Sequence, residues 1–88
     1  MTQNLKNKPV VQSQDDLVIQ MVMNNIPELV RGKDYLAKDL IGKNVWSTHS
    51  TGSRIALGTV ISDLAENRHL PIIFAGKTTS NKNLYQLE

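Results

Sequence analysis

The feature that most constrains this chain is a change of hydrophobic period late in the sequence. Ile55, Leu57, Val60, Ile61, Leu64 and Ala65 follow one another at helical spacing, which predicts an amphipathic helix with one face turned inward. After Pro71 the period shortens. Ile72, Ile73, Phe74 and Ala75 form one β-type run, and Leu84, Tyr85 and Leu87 form a second. Between the runs lies a turn-rich tip, residues 76–83, with Lys77 and Lys82 and no acidic residue. A long helix therefore feeds directly into a β-hairpin. With 88 residues there is room for one domain and not two, because a small core must bury most of the chain's surface to offset ordering entropy. The expected core sets Ile55, Leu57, Ile61 and Leu64 against Trp46, Leu40, Ile73 and Leu84.

The upstream elements follow from capping and breaking signals. Residues 1–12, rich in Asn, Gln and Lys, read as a flexible arm, and residues 13–88 as the domain. Ser13 opens a first helix with Asp15 and Asp16 in its first turn, and Pro27 marks its end. Asp34-Tyr35-Leu36 suits a very short strand, and residues 37–41 a brief helix closed by Gly42 in the left-handed position. Ser50 or Thr51 is the expected N-cap of the long helix. Gly58 inside that helix costs about 1 kcal/mol relative to alanine, which suggests another backbone packed close by.

Composition closes off several classes. No cysteine is present, which excludes a disulfide-stapled secreted module, thiolate metal sites and a cysteine nucleophile. The longest apolar stretch, residues 17–23, is broken by Gln20 and falls far short of the ~20 residues that span a bilayer. The N-terminus lacks the apolar segment of a signal peptide, so the expected location is the cytoplasm and no membrane partner is expected. Ten Lys and Arg against eight Asp and Glu leave a net charge of +2. That surplus is too thin for bulk-charge coating of DNA, so any nucleic-acid contact has to be local.

Helix, short strand, short helix, polar turn, long helix, hairpin is the order of an α+β winged helix-turn-helix domain, with three helices and a C-terminal hairpin wing. Residues 34–87 also resemble a small bacterial and prophage family of unknown function. The resemblance lies in Tyr35-Leu36-Ala37-Lys38-Asp39-Leu40, Trp46, Arg54-Ile55-Ala56-Leu57-Gly58 and Asn83-Leu84-Tyr85. It implies a winged-helix shape and brings no catalytic residues with it.

On that architecture the expected partner is double-stranded DNA, in the manner of a phage-derived transcription regulator. Thr48, His49, Ser50, Thr51, Ser53 and Arg54 stand at the entry to the long helix, with side chains able to read bases or hold phosphates. Lys77, Thr79, Asn81 and Lys82 equip the wing. Against these, Asp63 and Glu66 further along the helix repel phosphate, which confines contact to its first two turns and the wing. The competing class is a phage-type module that grips another protein without touching DNA. His49 and His69 have no partners at ligand or triad spacing, so no catalytic residues, metal or cofactor are expected. The first helix carries more apolar surface than a one-sided helix needs, which suggests a homodimer through Leu17, Val18, Met21 and Val22.

Overall fold

A computed structural model of the protein describes residues 14–88. The arm, with the Ser13 cap, lies outside the described residues. The first helix, α1 (Gln14–Asn25), carries Asp15 and Asp16 in its first turn, where the helix dipole favours negative charge. A single 3-10 turn, Ile26–Glu28, follows, with Leu29 N–H donating to the Ile26 carbonyl at 3.0 Å. Pro27 has no N–H to continue the α-helical ladder. Val18 and Val22, one turn apart, are fully buried, and Ile19, Met21 and Ile26 pack partly buried against the same core. Two of the four residues assigned to a subunit contact, Val18 and Val22, are thus taken up by the chain's own interior. Leu17 and Met23 are the apolar residues α1 leaves exposed.

Asn25 ties this helix to the next, its Nδ2 donating to the Leu40 carbonyl at 2.8 Å. Helix α2 (Ala37–Ile41) starts where the Asp39 carboxylate accepts the Leu36 N–H, at 2.9 Å. It ends at Gly42, whose φ of 104° belongs to the region that glycine enters without a Cβ penalty. A third helix, α3 (Lys43–Ser47), begins there at once. The described residues consequently form four α-helices where the sequence suggested three, and Trp46 lies on a helix of its own. It is partly buried against the core, and its indole donates to no described residue.

The long helix α4 (Thr51–Glu66) inserts Leu57, Ile61 and Leu64 into the core. Ile55 does not join them and is 67% exposed. It stands two residues before Leu57, about 200° round the helix, so the two cannot share a face. Arg68 and His69 N–H groups reach back to the Ala65 and Leu64 carbonyls at 3.2 and 2.8 Å. This is a Schellman ending with arginine, φ 62°, where glycine is usual.

Strands β1 (Ile72–Lys77) and β2 (Asn83–Leu87) form an antiparallel hairpin. Tyr35 extends the sheet across the free side of β2, its N–H and carbonyl both bonded to Tyr85, at 2.7 and 2.8 Å. The spatial order is Tyr35, β2, β1. Ile72 and Tyr85 face the core, so their neighbours Ile73 and Leu84 point to the other side of the sheet. The expected burial of Ile73 and Leu84 is therefore off by one residue of strand parity: Ile73 is exposed and Leu84 only half-buried. A bulge between Phe74 and Gly76 breaks the register, and Gly76 supplies the positive φ, 123°, that it requires. Among the described residues no helix is long and apolar enough to cross a membrane.

Candidate nucleic-acid interface

The polar stretch before α4 is largely engaged in closing one helix and opening the next. Thr48 Oγ1 and His49 Nδ1 both donate to the Val45 carbonyl, at 2.7 and 2.9 Å, satisfying the end of α3. Ser50 is the N-cap, its Oγ accepting the Ser53 N–H at 3.2 Å and donating to Ser53 Oγ at 3.1 Å. Arg54 turns backwards, Nε to the Trp46 carbonyl at 3.1 Å and a terminal nitrogen to the Ser47 carbonyl at 3.3 Å. The guanidinium proposed to reach a base thus braces the α3–α4 corner. Thr51 is left exposed.

The hairpin tip is a tighter structure than its sequence suggested, because the strands extend through Lys77 and from Asn83. Only residues 78–82 form the loop. Thr78 Oγ1 accepts the Ser80 and Lys82 N–H groups at 3.2 and 3.1 Å, and Asn81 takes a left-handed φ of 67°. The tip is thereby held by its own hydrogen bonds, with Lys77, Thr79, Asn81 and Lys82 all exposed.

Between α4 and the hairpin runs an open groove of about 640 Å³. Thr51, Arg54, Ile55, Gly58, Thr59, Ser62 and Asp63 line it from α4, and Lys77, Asn81, Lys82, Asn83 and Tyr85 from the hairpin. Leu36, Ala37 and Lys38 from the start of α2, with Trp46, complete it. Four cations, Lys38, Arg54, Lys77 and Lys82, stand around it with one carboxylate, Asp63. Lys38, Lys77 and Lys82 form no ion pair with a described residue. A chain with a net charge of only +2 therefore gathers four cations against one carboxylate in one place.

The groove brings together Thr51, Arg54, Lys77, Asn81 and Lys82 from the sequence-derived set. Thr48, His49, Ser50, Ser53 and Thr79 are not part of its lining. Sequence reading missed Lys38, which sits on a different element from either expected contact region. The sheet contact of Tyr35, two residues before α2, helps carry that helix start to the foot of the wing.

Neither a curated protein nor a solved structure matches the chain. The model of the family described as Domain of unknown function (DUF1413) matches residues 20–86, and the chain belongs to that family.

Proposed function

We propose that this protein is a winged-helix DNA-binding module that docks a duplex over the groove between α4 and the hairpin, with Lys38, Lys77 and Lys82 holding its phosphates. The observation that carries the reading is the cluster of Lys38, Lys77 and Lys82 around that groove, none of them in an ion pair with a described residue, against the single carboxylate of Asp63. Helix and hairpin wing stand side by side, so a helix entering the major groove brings the wing onto the adjoining backbone. Tyr35 pairing with β2 supports the winged-helix reading, since this single-residue bridge stands where that architecture has a short strand between its first two helices. Positioning in this scheme comes from the three lysines, and Arg54 serves the fold. The assembly we propose is a twofold dimer whose contact on α1 narrows to the exposed Leu17 and the half-buried Met21, one turn apart. Sedimentation equilibrium of Leu17→Lys beside the parent tests it, and a parent that is monomeric at tens of micromolar sinks it.

Three phosphate contacts give a slope of log affinity against log salt of about −2.7. Binding to random duplex then weakens about fortyfold between about 50 and 200 mM salt. Replacing Lys77 and Lys82 together with alanine lowers affinity on every sequence and flattens the slope by about two units. An affinity that ignores salt, or a double variant that binds like the parent, overturns the proposal in favour of a protein partner.

A further inference from the structure

The groove-facing surface of α4 reads Thr51, Ile55, Gly58, Thr59 and Ser62 before the first carboxylate, Asp63. It offers no Asn, Gln or Lys to bond a base edge, and its one arginine is turned back onto two backbone carbonyls. What it does offer is Ile55, which at 67% exposure is the most exposed of the large apolar side chains described. Single exposed apolar residues are ordinary on protein surfaces. Ile55 is set apart by its place on the first turns of a helix, facing a groove ringed with lysine. The apolar feature on the edge of a base pair is the thymine 5-methyl group, which projects into the major groove. One turn further on, Gly58 leaves open space where a Cβ would stand, so the helix is free to approach base edges closely.

We infer that Ile55 is a specificity-determining residue that packs against thymine methyl groups, giving the module a preference for A·T-rich duplex. The inference rests on the DNA-binding reading above. The probes are an alternating dA–dT duplex and a duplex of the same length with deoxyuridine in place of thymidine, which differ only in the 5-methyl groups. Fluorescence anisotropy at low salt is expected to show the parent protein binding the thymine duplex more tightly, by about fourfold per methyl group in contact. Ile55→Ala should bind both duplexes alike, with the salt slope of the parent. Because the side chain is exposed, that variant should also keep the parent's melting temperature. Equal binding of the two duplexes by the parent, or a thymine preference that survives Ile55→Ala, overturns the inference. If either occurs with a steep salt slope, the DNA-binding reading stands without it. Failure of the parent to bind either duplex overturns both.

Discussion

Replacing Gly58 with alanine should make the protein more stable, against the expectation that a mid-helix glycine marks a close backbone. Gly58 is the eighth residue of the 16 in α4, far from both ends, where the helix-propensity difference between glycine and alanine applies in full. A Cβ built there meets nothing within 4 Å, so no steric term opposes the gain. The difference is about 1 kcal/mol, arising mainly from the greater freedom that glycine gives the unfolded chain. In a domain of this size it corresponds to a melting temperature higher by roughly 4–8 °C. Thermal and urea unfolding followed by far-UV circular dichroism measure it, with an unchanged urea slope confirming that stability alone has moved. A lower melting temperature would refute the reasoning and would mean that the surface above Gly58 is occupied in solution, as by a second copy. The same methyl group stands in the groove, so duplex affinity should fall as stability rises.

Other substitutions separate core, corner and groove. Leu64→Ala removes a side chain that is 3% exposed in the main core and should cost about 2–5 kcal/mol in urea unfolding; a loss below about 1 kcal/mol would mean that the inward face of α4 is misplaced. Arg54→Ala deletes both hydrogen bonds that brace the α3–α4 corner and should cost about 1–2 kcal/mol while leaving the salt slope of duplex binding unchanged. Arg54→Lys should recover only part of that loss, since an ammonium lacks the planar fork that serves two carbonyls. A stability equal to the parent's, with flattened salt dependence, would return Arg54 to the DNA contact.

Much of the fold was determined by sequence because it is local. The Ser50 cap, the Gly42 ending, the helix over Leu57, Ile61 and Leu64, and the hairpin all follow from side chains within a few positions of one another. Local signals also placed Tyr35 in a short strand, although its partner Tyr85 lies across the whole domain. What periodicity alone left undecided was phase. Ile55 and Ile73 are apolar residues beside apolar residues, and either side of the helix or strand suits them equally until the rest of the core is in place. Tertiary packing chose Leu57 and Ile72 for the interior, and so turned Ile55 and Ile73 outward. It also divided the apolar surplus of α1, closing Val18 and Val22 against α2 and α4 and leaving Leu17 outward. The charge is the clearest division between the two levels. Composition determined a surplus of two positive charges, but only the meeting of α2, α4 and the hairpin collects Lys38, Lys77 and Lys82 around one groove. Electrostatic potential depends on distance through space, and distance along the chain does not supply it.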